Sequence, residues 1–269
     1  MIISTFFDNL LSIAQQNGLT LLQVAERCLK CDVTGIEVED CEVADPRLQV
    51  LLDAGMQITG MPTRRDFLHA PSRECVEEVI RLALKHSVPR ILMIPGYIES
   101  GEDKSIVRNA IEPLQYLCEL AEKENITDGV EDYDRIDAPT CTIDGLNKIL
   151  NEVPGLSCFF DTGNFMFAGE NVLDAYYLMK QRITSQIHCK DRSYVGRAGD
   201  EPVKNSAGEY LYPCAVGKGA VPIREILTEH IKSGFDGVLT AELFGTSDTL
   251  SDLETSADFL KKCIAEATE

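Results

Sequence analysis

The sequence predicts a single (β/α)8 barrel spanning 1–269, on three observations. Eight short runs of strand composition alternate with segments of helical periodicity from one end of the chain to the other. The length of 269 residues is that of one such barrel, and no Gly/Ser- or Pro-rich stretch marks a boundary within it. No G-x-G-x-x-G follows the first strand, so the open dinucleotide-binding sheet lacks its signature.

The strand-like runs are 2–6, 35–39, 57–60, 90–94, 127–131, 157–161, 186–188 and 237–242, each rich in β-branched or aromatic residues. Thr20 is placed to cap a helix over 21–29, and Ser72 to cap one over 73–85 with Val76, Val79, Ile80 and Ala83 on one face. Ile106, Ala110, Leu114, Leu117 and Ala121 share a face of a helix expected over 105–123. Shorter helices are expected over 144–151 and 172–179, then longer ones over 222–232, with Pro222 in the first turn, and over 251–265. The longest irregular stretch, 194–220, would hang over the barrel mouth as a lid.

A net charge of −19 with no Lys/Arg cluster argues against nucleic acid. No run approaches the length of a membrane span, and the N-terminus shows no basic region of a signal peptide. Ten cysteines lie scattered, several in apolar segments (Cys118, Cys158, Cys189), which fits buried thiols in a reduced cytoplasm. The C-x-x-C of Cys28 and Cys31 has no second pair at zinc spacing and reads as structural. A homo-oligomer is left open.

Four runs end in metal-ligand residues: Glu131, Asp161, His188 and Glu242. On consecutive barrel strands these ends face one mouth, where three carboxylates need a cation to coexist. One imidazole among oxygen ligands suits Mn, Co, Mg or Zn as a single divalent ion. Near the same rim lie Glu37 at the end of the second strand, His69 after the third, Asn164 after the sixth, and Lys190 and Arg192 after the seventh. These are candidates for substrate contact, the two cations alternatively for neutralising the carboxylates. His86 and His230 fall in helical segments and read as structural.

The segments Val130-Glu131-Asp132-Tyr133, Phe160-Asp161-Thr162-Gly163-Asn164, Ile187-His188-Cys189-Lys190-Asp191 and Thr240-Ala241-Glu242 resemble the metal motifs of the xylose isomerase-like TIM barrels. Within them the likeness is to the sugar phosphate isomerase/epimerase group that includes the ketose 3-epimerases. Gly35-Ile36-Glu37-Val38 is similar to that group's second strand, and Val216-Gly217-Lys218-Gly219-Ala220 to its G-x-G stretch before the seventh helix. The resemblance implies a metal-dependent isomerase or epimerase of a sugar or sugar phosphate, with Glu131 and Glu242 as catalytic acid/base pair across a metal-stabilised enediolate. The chain departs from the pattern at Asn164, where ketose epimerases often carry a histidine. A dehydratase of the inosose type and a non-catalytic sugar-binding barrel are the alternatives. A nuclease on this fold needs a histidine-rich trinuclear site, which four histidines do not supply.

Overall fold

The computed structural model describes residues 1–268. Its elements run β1 (Ile2–Phe6), α1 (Phe7–Asn17), α2 (Leu21–Lys30), β2 (Val33–Glu37), α3 (Pro46–Asp53), β3 (Gln57–Arg64), α4 (Arg73–Lys85), β4 (Arg90–Ile94), α5 (Ile111–Glu124), β5 (Thr127–Val130) and α6 (Ile143–Glu152). Then follow β6 (Ser157–Cys158), β7 (Phe160–Asp161), α7 (Phe165–Ala168), α8 (Val172–Met179), β8 (Gln186–Cys189), β9 (Asp191–Ser193), β10 (Val203–Lys204), β11 (Tyr210–Cys214), α9 (Ile223–Lys232), β12 (Val238–Ala241) and α10 (Thr249–Thr268).

Nine strands form one parallel sheet in the order β6-β5-β4-β3-β2-β1-β12-β8-β7. The two ends, β6 and β7, are halves of a single strand position interrupted at Phe159, whose N–H donates to the Val130 carbonyl at 2.9 Å. The sheet thereby closes into an eight-position barrel, and the predicted (β/α)8 class holds.

The expected helix over 73–85 forms as α4, capped by the Ser72 hydroxyl accepting from the Cys75 N–H at 3.2 Å. Thr20 and Gln23 make a full capping box on α2. Three helices escaped the sequence reading, the four-residue α7 among them. α1 follows β1 with no side-chain cap at Phe6, so it carries no start signal, although Phe7, Leu10 and Ile13 are buried along it. α3 does carry one, an Asp45 cap followed by Pro46, but at eight residues it buries only Leu48 and Leu51. The helix expected over 105–123 begins as a 3-10 segment, Lys104–Ala110, before α5. β3 runs on to Arg64 through Pro62, a residue that usually argues against a strand. Its carbonyl still accepts from the Asp40 N–H at 3.1 Å.

The stretch 194–220 is not irregular throughout. It supplies β10 and β11, and β11 pairs antiparallel with both β10 and β9 as a small outer sheet. Leu211 and Pro213 are buried while Tyr210 is exposed, a strand alternation that Pro213 disguises in the sequence. The arm is clamped at its base: Arg197 grips Asp252 through two bonds, 2.9 and 2.5 Å, and reaches Thr246 at 2.6 Å. The Asp200 carboxylate accepts from the Ser247 N–H at 2.9 Å. Among the described residues no helix is long and apolar enough to cross a membrane. All ten cysteines are unpaired, and burial pushes the Cys28 thiol up to about 12.

Candidate metal centre

The barrel register places the four expected ligands at neighbouring strand ends. His188 pairs with Asp161 on one side and with Thr240, two residues before Glu242, on the other. Glu131 and Glu242 are the first residues after β5 and β12. All four are buried, and one ligand atom from each lies within 4.8 Å of every other. His188 Nδ1 is 2.5 Å from Glu131 Oε1 and 3.6 Å from Glu242 Oε2.

Asp161 is held by its backbone surroundings. Its Oδ1 accepts from the Gly163 and Asn164 N–H groups at 2.7 and 2.8 Å, and its own N–H donates to Asp132 Oδ1 at 2.9 Å. Its Oδ2 is buried without a hydrogen-bond partner and sits in the ligand cluster, 3.6 Å from Lys190 Nζ. A buried carboxylate oxygen costs free energy unless something positive meets it. Three carboxylates and one imidazole within coordination spread fit a divalent ion in both charge and donor type.

The electrostatics carry the same strain. Burial pushes the Asp161 carboxyl well above the usual carboxylate range, Glu242 and Glu131 reinforcing it and Lys190 opposing it. Burial also raises Glu131, against the pull of His188. For His188 burial works to lower the pKa, but Glu37 and Glu131 outweigh it and hold the imidazole well above its ordinary value. Lys190 likewise stays charged despite burial, because Asp134, Asp161 and Glu242 surround it. Its Nζ donates to Glu242 Oε1 at 2.5 Å and to Asn164 Oδ1 at 2.6 Å. Groups whose proton affinity rises together in this way form a cation-seeking site.

A cavity of about 260 Å³ opens above the cluster, with Glu131, His188, Lys190 and Glu242 in its floor. Of the expected substrate residues, Asn164 and Lys190 line it. Asn164 also donates to the Asp132 carbonyl at 2.7 Å, so its side chain is fixed at both ends. Three others lie elsewhere. Glu37 sits behind His188, its Oε2 3.1 Å from Nε2. Arg192 is buried against Asp134 at 3.6 Å. His69 is held at a separate part of the rim between Asp66 and Glu102, at 2.8 and 3.0 Å.

The cavity lining adds residues that strand-end reasoning missed. Arg64, at the end of β3, donates to Glu39 Oε2 at 2.7 Å and to the Tyr133 hydroxyl at 3.2 Å. Asp134 faces Lys190, which holds its carboxyl below the usual range with help from Arg192. The signal for Asp134 was present: it follows Glu131 by three residues in a run of acidic and aromatic side chains. Phe6, the last residue of β1, and Phe244, three residues beyond β12, have ring centroids 5.1 Å apart and form an apolar wall. The arm 194–220 contributes no residue to the lining of this cavity; it braces the segment after β12 that carries Glu242 and Phe244. The Gly217-Lys218-Gly219 turn wraps a carboxylate of the chain itself. Asp191 accepts from the N–H groups of Gly217, Gly219 and Val221 at 2.9, 2.8 and 3.2 Å, and a Cβ on Gly219 would lie 2.2 Å from Asp191 Oδ1.

A family model described as the xylose isomerase-like TIM barrel matches residues 25–263. No curated protein matches the sequence. Among solved structures, the probable 3-DHS dehydratase AsbF of Bacillus anthracis has 18% identity and a TM-score of 0.68, covering 97% of this chain and 99% of its own. A xylose isomerase-like TIM barrel protein of Mycobacterium smegmatis, in complex with magnesium, has 18% identity and a TM-score of 0.70 over 92% of this chain and 89% of its own. D-allulose 3-epimerase of Methylomonas sp., in complex with D-allulose, has 12% identity and a TM-score of 0.69 over 97% and 96%. At these identities the likeness is one of fold.

Proposed function

The chain belongs to the xylose isomerase-like TIM barrel family, and from that premise we propose that it is a metal-dependent isomerase or epimerase of a sugar-type α-hydroxy carbonyl compound. The observation that carries the proposal is the convergence of Glu131, Asp161, His188 and Glu242 within 4.8 Å, beneath a cavity of small-molecule size. These four would hold the ion, which supplies Lewis-acid polarisation of a carbonyl and an adjacent hydroxyl when bound. Relatives of the same fold that act on sugars, or that were solved with magnesium, support the reading.

The chain's own residues account for the proton transfers. Glu131 and Glu242 reach the cavity from β5 and β12, with β7 and β8 between them on the rim, so they approach a bound substrate from two sides. One carboxylate takes the proton from the carbon beside the carbonyl, leaving an enediolate. The other, protonated beforehand, gives its own proton to the opposite face of that carbon, giving epimerisation, or to the former carbonyl carbon, giving isomerisation with a proton moved between the two oxygens. Lys190 fixes Glu242 through Oε1, which leaves Oε2 toward His188 and the cluster. Phe6, Phe244, Leu92 and Ile94 wall the cavity with apolar surface and keep bulk water from the intermediate. Loss of a β-hydroxyl after the same first step would make the protein a dehydratase instead.

The test is a panel of ketoses, ketose phosphates and inososes incubated in D2O with Mn²⁺-loaded protein and followed by proton NMR. Deuterium should enter beside the carbonyl of at least one compound, and EDTA treatment should stop it. Loss of a β-hydroxyl would appear as a new unsaturated product. Binding of a sugar with no exchange and no new product would point to the non-catalytic barrel.

A further inference from the structure

We infer that Glu37 is a positioning residue that fixes the tautomer and ring angle of His188, so that Nδ1 is the metal-ligating nitrogen; this rests on the metal-centre reading above. Glu37 ends β2, three strand positions from β8 in the sheet, and its buried side chain reaches across the barrel interior to the far edge of the imidazole. Glu37 Oε2 lies 3.1 Å from His188 Nε2, while Glu131 Oε1 lies 2.5 Å from Nδ1. The two carboxylates thus hold opposite nitrogens of one ring.

A neutral imidazole has one N–H and one lone pair. Both nitrogens face carboxylate oxygens, but only Nδ1 faces the ligand cluster, 2.5 Å from Glu131 and 3.6 Å from Glu242, so an ion held there would take the Nδ1 lone pair and leave the single hydrogen to Nε2. With the hydrogen on Nε2, the bond to Glu37 forms and the Nδ1 lone pair points at the cluster. Gln186 completes the arrangement. Its amide nitrogen is placed 3.0 Å from the same Nε2 and its amide oxygen is buried without a partner, so the amide as placed does not match an Nε2–H and turning it end for end does. The two ends are alike in shape, and the end that suits an Nε2–H is the oxygen. Gly60 leaves room for both side chains: a Cβ there would stand 3.3 Å from Gln186 Oε1 and 3.4 Å from Glu37 Oε2. Phe6 closes the remaining side, its ring edge-on to the imidazole at 5.3 Å. A carboxylate behind a ligating histidine sets its orientation and raises its basicity.

The experiment measures Mn²⁺ affinity by calorimetry for the wild type, Glu37→Gln and Glu37→Leu, and the nitrogen-15 shifts of His188 in the Zn²⁺-loaded wild type. Glutamine keeps an acceptor oxygen without the charge, so Glu37→Gln should weaken Mn²⁺ binding about 10-fold. Leucine removes the acceptor, and Glu37→Leu should weaken it by closer to 100-fold. In the Zn²⁺-loaded wild type the proton should sit on Nε2. Variants that bind Mn²⁺ within twofold of wild type, or a proton found on Nδ1, would overturn the inference while leaving the metal centre standing. A wild type that binds no Mn²⁺ would overturn both. If neither variant folds, the wild-type shifts decide alone.

Discussion

Replacing Lys190 by methionine should make the fold depend on a divalent ion. The side chain is buried, and its ammonium lies 2.5 Å from Glu242, 3.4 Å from Asp134 and 3.6 Å from Asp161. Methionine keeps the stem, which packs against Gly163, and removes only the charge. Three carboxylates then lose the cation they share. Breaking a buried ion pair from one side costs about 3–5 kcal/mol. At roughly 2–4 °C per kcal/mol for a chain of this size, the melting temperature in EDTA should fall by about 6–20 °C. Saturating Mn²⁺ brings back positive charge where the ammonium was. It should stabilise wild type by about 2.7 kcal/mol at a hundredfold excess over Kd, and the variant by more, because no resident cation opposes the ion. Differential scanning calorimetry of both proteins, with EDTA and with Mn²⁺, reads the effect. The deficit in Mn²⁺ should be less than half of that in EDTA. An equal deficit in the two conditions would refute the idea that Lys190 and the ion answer the same carboxylates.

Asp161→Asn should abolish most of the Mn²⁺-dependent rise in melting temperature, since it removes the one ligand oxygen without another partner; a wild-type response would exclude Asp161 as a ligand. Arg197→Ala should leave Asp252 buried without its two guanidinium bonds, cost about 2–4 kcal/mol, and speed amide exchange in β10 and β11 before the barrel strands. Asp200 is held down at about 2: slight burial works to raise it, but bonds from the Ser247 and Arg197 N–H groups and their side chains prevail. A depressed carboxyl stabilises above its unfolded value near 3.8 and loses that contribution as pH falls through about 2, so Asp200→Asn should flatten the acid limb of the stability profile in that window.

The barrel and the cluster of four candidate ligands were legible because both rest on period and position. Parallel strands are continuous apolar runs, and a ligand at the end of each run reaches the shared mouth whatever the exact boundary. Glu131 and Glu242 lie one residue beyond their strands as defined by pairing, and nothing in the argument changes. What escaped depended on contacts distant in sequence. α1 starts without a cap because it continues directly from β1, and β11 hides its alternation behind Pro213. Glu37 sat at the correct rim, but period alone cannot say that its carboxylate ends behind an imidazole 151 residues away rather than in the cavity. His69 and Arg192 failed to join the lining for a related reason: each found carboxylate partners of its own, Asp66 with Glu102 and Asp134 respectively.

The most direct test of the proposed chemistry is deuterium exchange by Glu131→Gln and Glu242→Gln proteins brought to the same Mn²⁺ content as wild type, using a substrate identified by the wild type and each of its two epimers. Glutamine can keep an oxygen near the ion but accepts no proton. Turnover should fall by roughly 10²–10⁴-fold in each variant, with one epimer losing exchange in the first and the other epimer in the second. Wild-type exchange from both epimers by a metal-loaded Glu242→Gln protein would contradict the two-carboxylate mechanism.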